Sequence, residues 1–150
     1  PIEGLLVESS EHADRIPDDL TAIVPSLKVV ACPAASSYAL KNEGVRVAAA
    51  EFVVLLDADC TPSHDWLRRA VESMRAHPEA AAISGRTRYG GRGLAERVLA
   101  VLSRAYLDPG EAGPTAFISN NNAILRRTVF LEHPLPTNGG PFAARMISAL

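Results

Sequence analysis

With 150 residues, 47% of them apolar, the chain has the length and the hydrophobic content for one domain with a buried core, which excludes a disordered tail. Lys and Arg number 15 against 17 Asp and Glu, a formal charge of -2, so the chain lacks both the basic excess that drives non-specific nucleic-acid binding and the acidic run of a solvating tail. No apolar run reaches the ~18 residues of a membrane-crossing helix, and Pro1-Ile2-Glu3-Gly4 has neither Met nor a signal pattern, the start expected of an incomplete chain.

Ile2 to Ser10 is a short apolar run ending in acidic and hydroxyl residues, the pattern of a buried parallel strand. Pro17 and Pro25 then bracket at most a short crossover helix before the next strand, Leu27 to Ala31. Ser36 or Ser37 is placed to cap a helix running through roughly Ala50. In it Leu40, Gly44, Val45, Val47 and Ala48 recur near the 3.6-residue period, while Lys41, Asn42, Glu43 and Arg46 take the opposite side. Phe52 to Leu56 carries the strongest strand signal in the chain.

Thr61-Pro62-Ser63 predicts a turn and N-cap for a helix with Trp66, Leu67, Ala70, Val71 and Met74 on one face, ending near His77-Pro78. Ala80 to Gly85 reads as a further strand, Arg86 to Gly93 as a basic loop, and Leu94 to Leu107 as an amphipathic helix broken by Asp108-Pro109-Gly110. Thr115 to Ser119 and Ala123 to Leu125 are strand pieces around an asparagine run, and a last short helix begins at Arg127. The alternation predicts a single α/β domain over residues 1–150, with a mostly parallel sheet. Cys32 and Cys60 belong to no CxxC or Cys/His cluster and lie beside apolar stretches, as small buried residues do in a reducing compartment.

The chemistry concentrates at Asp57-Ala58-Asp59. Two carboxylates spaced i, i+2 leave a buried strand at its carboxyl end, where open α/β sheets place ligands. Taken alone the triplet equally fits a pair of Asx-turns or caps for the following helix. The run from Tyr38 to Asp59 separates these readings: Lys41-Asn42-Glu43-Gly44, an alanine-rich helix, then an apolar strand ending in D-x-D. It resembles the family 2 glycosyltransferases of the GT-A fold, and the resemblance extends in order from Ile2 to about Arg127.

That resemblance implies a GT-A-like (Rossmann-like) fold, a mostly parallel sheet flanked by helices in three α/β/α layers, with the family's first strand lying before Pro1 and its C-terminal part after Leu150. It implies transfer of a sugar from a nucleotide-diphosphate donor to an acceptor hydroxyl, by inversion and with Mn²⁺ or Mg²⁺. Such ions take oxygen ligands and neutralise a departing diphosphate. By the same analogy Asp59 is the metal ligand, Asp57 contacts the ribose or a metal-bound water, Lys41 lies near the nucleotide and Glu8 meets the base or ribose. Asn122 with Arg126-Arg127 resembles the segment beside the donor sugar and acceptor. The general base of the family, an acidic residue after that segment, has no counterpart from His133 onward, which leaves Glu132 and His133 as candidates. The acceptor is a sugar, a lipid or a protein, and the expected location is cytoplasmic, at the inner face of the membrane if the acceptor is lipid-borne.

Other residues carry two readings each. His64 either approaches the metal or faces solvent, and Trp66 either stacks on a sugar or packs in the core. Arg86, Arg88 and Arg92 either clamp phosphate or line a solvated loop. Asn120-Asn121-Asn122 offers amides to sugar hydroxyls or forms a turn, while His12, His77 and His133 have no companion at metal-ligand spacing. The alternative to an enzyme is a non-catalytic nucleotide-binding remnant or an α/β interaction module. A sugar nucleotidyltransferase is disfavoured because no Gly-rich phosphate loop precedes the first helix.

Overall fold

The computed structural model describes residues 2–24, 26–33, 36–87, 93–104, 113–115, 118–119 and 121–137. Its elements are β1 (Gly4–Ser9), a 3-10 turn (Ala13–Arg15), α1 (Leu20–Ile23), β2 (Leu27–Cys32), α2 (Ser37–Val47), β3 (Phe52–Leu56), α3 (Trp66–Ala76), β4 (Ala82–Ser84), α4 (Leu94–Arg104), β5 (Asn122–Arg126) and α5 (Arg127–Glu132). This is the mixed α/β alternation that the sequence predicts. The described residues gather into two compact units, one holding the chain up to Val53 and the residues from Leu125 onward, the other Val54–Ile124.

In the first unit β1 and β2 pair in parallel, from Gly4 against Leu27 to Ser9 against Cys32. Every residue of β1 is half-buried, so it is not the doubly covered strand expected from its apolar run. Ser36, extended at φ -131°, caps α2 by accepting a hydrogen bond from the Ala39 N–H at 3.2 Å. The helix lays Val45 and Ala48 into the core and packs on β1. It ends at Val47, short of the expected Ala50. Ala48 turns extended (ψ 144°), and the Arg127 guanidinium takes the last carbonyls, Nε donating to Val45 O and Nη2 to Arg46 O, both at 3.1 Å. Beneath β1, the Glu3 carboxylate accepts from Lys28 Nζ at 2.6 Å and from the Ala49 N–H at 3.1 Å. These two bonds, Lys28 first, hold its carboxyl below the ordinary glutamate value.

Gly44 sets how closely α2 approaches β1. A Cβ there would stand 3.0 Å from Val7 Cγ2. Glycine costs a helix interior about 1 kcal/mol against alanine, so Gly44→Ala should come out near neutral, the helical gain offset by the displaced valine. Gly44→Leu has no such offset, because its whole side chain must enter the interface. Overpacking of this kind should cost about 2 kcal/mol, read as a lower urea midpoint.

The second unit holds α3, β4 and the beginning of β5. Met74 is fully buried, and Trp66, Leu67, Ala70 and Val71 are half-buried on the same side, while Arg68, Arg69, Glu72 and Arg75 are exposed, as the periodicity predicts. α3 begins three residues after Ser63. Asp65 holds the N-cap position without a side-chain cap bond, and the Ser63 hydroxyl donates to the Asp65 carboxylate at 3.1 Å instead of capping a helix. On α4, the apolar side chains Leu94, Val98, Leu99 and Leu102 are exposed.

Among the described residues the strands form a two-stranded sheet, β1-β2, and a three-stranded sheet, β3-β5-β4, in place of the single sheet expected. Gly85 N, just past β4, donates to Asn122 O at the start of β5. Arg127 N, just past β5, donates to Glu51 O before β3, each at 2.9 Å. β5 therefore starts where β4 ends and ends where β3 starts, so it runs opposite to both, and the expectation of a mostly parallel sheet holds only for β1 and β2. Of the predicted strand piece Thr115 to Ser119, the described residues Thr115, Ile118 and Ser119 lie outside any strand. No helix among the described residues is long and apolar enough to cross a membrane.

Candidate functional site

β3 is an unbroken apolar run with Val53 and Leu55 buried, and the first polar side chain after it is Asp57. The chain turns at once, the Cys60 N–H donating to Asp57 O at 3.0 Å. Asp57 is half-buried and Asp59 exposed. With Asp65 at the start of α3, neither aspartate caps that helix, which removes the capping reading of the triplet.

Cys60 reports the field of the pair. Its thiol donates to Asp59 Oδ1 at 3.7 Å, and burial, then the charges of Asp59 and Asp57, push its pKa up. Cys60 is half-buried rather than buried, and it and Cys32 are both free thiols. Two carboxylates acting on one neighbour form a negative, all-oxygen corner. Among the described residues no three His, Cys, Asp or Glu side chains gather to hold a metal. Hard cations take carboxylate oxygens and often complete their shell from phosphate and water; His64, beside the pair, is exposed.

Asn122, the first residue of β5, lies at the same edge of the sheet, because β5 begins where β3 and β4 end. Its side chain is heavily engaged. Oδ1 accepts from the Trp66 indole Nε1 at 2.7 Å, and Nδ2 donates to Arg86 O at 3.3 Å and to Thr87 Oγ1 at 3.1 Å. Its carbonyl also accepts from the Ser84 hydroxyl at 3.3 Å, while Ser84 Oγ takes the N–H of buried Ser119 at 3.1 Å. Ser119 Oγ in turn donates to Asn121 Oδ1. The asparagine run is thus a hydrogen-bonded junction, in which Asn122 Oδ1 accepts one hydrogen bond among the described residues and has a second lone pair.

Of the remaining candidates, Glu8 and Lys41 lie in the first unit, both half-buried, with Glu8 Oε1 accepting from the Ser9 N–H at 2.6 Å. Lys41 is therefore not on a fully solvated helix face. Arg126 stacks 5.4 Å from the Phe52 ring and pairs with Glu51 at 3.6 Å, and Arg127 caps α2. Both arginines serve architecture here. Glu132 and His133 are exposed at the end of α5. Arg86 is exposed, whereas Arg88, Arg92 and Asn120 lie outside the described residues.

Sequence reasoning passed over Gly85, Thr87 and the indole N–H of Trp66. The available signal was Gly85 itself: glycine at a strand end marks a close approach, and a Cβ there would stand 2.6 Å from Asn122 Oδ1 and 2.9 Å from Nδ2. The family model described as Glycosyl transferase family 2 matches residues 2–133. No curated protein and no solved structure matches the chain.

Proposed function

The chain belongs to glycosyl transferase family 2, and from that membership we propose that it transfers a sugar from a nucleoside-diphosphate donor to an acceptor hydroxyl, assisted by a divalent cation at Asp57-Ala58-Asp59. The observation that carries the metal site is the position of the two aspartates, in the turn directly beyond β3 that the Cys60 N–H closes on Asp57 O. When bound, Mn²⁺ or Mg²⁺ supplies charge neutralisation on the diphosphate as the glycosidic bond breaks.

Asp59, exposed and nearest the solvent, holds the ion, while the half-buried Asp57 orients the ribose. Glu8 and Lys41 serve the nucleotide, the carboxylate by hydrogen bonding to base or ribose and the ammonium by charge. Asn122 has one Oδ1 lone pair for a donor hydroxyl. For an inverting displacement the acceptor proton leaves to a base opposite the departing diphosphate, the task assigned to Glu132 or His133. Both are exposed at the end of α5.

Isothermal titration with uridine, guanosine and thymidine diphosphates, each with and without Mn²⁺, tests this reading. One of them should bind about tenfold tighter or more with the metal, a coupling of ~1.4 kcal/mol. If no diphosphate gains affinity from Mn²⁺, the metal-assisted transferase reading fails.

A further inference from the structure

We infer that Asn122 is a positioning residue: through the Trp66 indole it orders the loop from Asp57 to Asp65 that carries the metal pair, and through Arg86 and Thr87 it ties the segment after β4 to the same point. The inference rests on the proposed role of Asp57 and Asp59, and it gives Asn122 a task other than touching the donor. The loop is held at one end by β3. At its other end the Trp66 N–H donates to Ser63 O at 2.9 Å, and the indole of Trp66 is anchored on Asn122 at 2.7 Å. Both amide hydrogens of Asn122 are spent on the chain beyond β4, at 3.3 and 3.1 Å.

The amide lies against Gly85 so closely that any Cβ there would displace it. Gly85, Asn122 and Trp66 are therefore mutually dependent: the glycine leaves the space, the amide fills it, and the indole finds its acceptor. An amide committed on both faces is a rigid bridge between two loops that emerge at one sheet edge. Loss of a single hydrogen bond shifts an opening equilibrium by up to about tenfold, enough to loosen a short exposed loop without unfolding the strands behind it.

Amide hydrogen exchange on the metal-free protein tests the bridge, with β2 as the reference for global stability. Asn122→Ala and Gly85→Ala should each raise exchange about tenfold in both 57–65 and 86–87, with β2 unchanged. Trp66 is the sole tryptophan, and its emission should shift to the red in these two variants. Trp66→Phe keeps the ring and loses the N–H, so it should loosen 57–65 and leave exchange at 86–87 at its wild-type rate. Asn122→Asp retains an oxygen for the indole and should restore protection at 57–65.

Wild-type exchange at 57–65 in Trp66→Phe overturns the inference, as does a rise in β2 equal to that in the loops. In a wild-type protein that binds a nucleoside diphosphate with Mn²⁺, Trp66→Phe should weaken the metal-coupled part about tenfold, and unchanged coupling also overturns it. A wild-type protein without metal-coupled binding would sink the proposed function instead, and the exchange pattern would still decide the bridge.

Discussion

Asn42→Ala is expected to cost about 3 kcal/mol and to lower the thermal midpoint by about 9 °C. The reason is the backbone of Leu135, a residue only 2% exposed. Asn42 Nδ2 donates to Leu135 O at 2.8 Å, and the Leu135 N–H donates back to Asn42 Oδ1 at 2.9 Å, so one side chain pairs both backbone groups as a neighbouring strand would. Alanine leaves a buried donor and a buried acceptor unmade, at about 1–3 kcal/mol each. The upper end is not expected, because an open cavity of about 290 Å³ lined by Asn42, Glu43, Arg46 and Phe130 lets water reach the vacated positions. Asn42→Asp, which keeps only an acceptor, should fall nearly as far. A scanning calorimetry midpoint within 2 °C of wild type, about 0.5–1 kcal/mol, would show the pairing to be dispensable. Below the transition, Asn42→Ala should keep its nucleotide affinity, since Nδ2 and Oδ1 of Asn42 are both engaged by the Leu135 backbone.

The asparagine of Lys41-Asn42-Glu43-Gly44 shows where sequence reading stops. β3 and the aspartate pair were legible because their signal is local: an unbroken apolar run, then two acids two residues apart. Gly44 was legible as part of a motif, though only the 3.0 Å approach of Val7 explains it. The partners of Asn42, Arg127 and Asn122 lie 93, 82 and 56 residues away along the chain, and no periodicity encodes such distances. Arg126-Arg127 resembles a segment beside the donor sugar and acceptor, and the fold engages the two arginines with Phe52, Glu51 and the end of α2. Strand direction is equally absent from a strand's own residues: Ala123 to Leu125 announces an apolar strand, and only the contacts of Asn122 and Arg127 with Gly85 and Glu51 show that it runs backwards. The start of α3 was misplaced for a nearer reason, since Ser63 has a carboxylate two residues on that competes for its hydroxyl.

Asp59→Ala should abolish the metal-coupled component of nucleotide binding, weakening it by about 100-fold or more. Removing even an outer-shell partner of a bound metal costs about 10–100-fold, and a direct ligand should exceed that range. Stability should barely move, within about 0.5 kcal/mol, because the side chain is exposed and its hydrogen bond among the described residues is the weak one from the Cys60 thiol. Asp59→Asn separates ligation from hydrogen bonding: it keeps the shape and an acceptor oxygen and loses the charge. If Asp59 holds a cation, the asparagine variant should behave like alanine; if it only accepts a hydrogen bond from the nucleotide, asparagine should restore much of the affinity. Asp57→Ala should act differently from both. Its carbonyl closes the turn to Cys60 through the backbone and survives the substitution, so the loss should fall on nucleotide affinity with and without metal alike. Unchanged Mn²⁺ dependence in Asp59→Ala, with that dependence lost in Asp57→Ala, would exchange the two roles, placing the ion at the half-buried carboxylate nearer the strand.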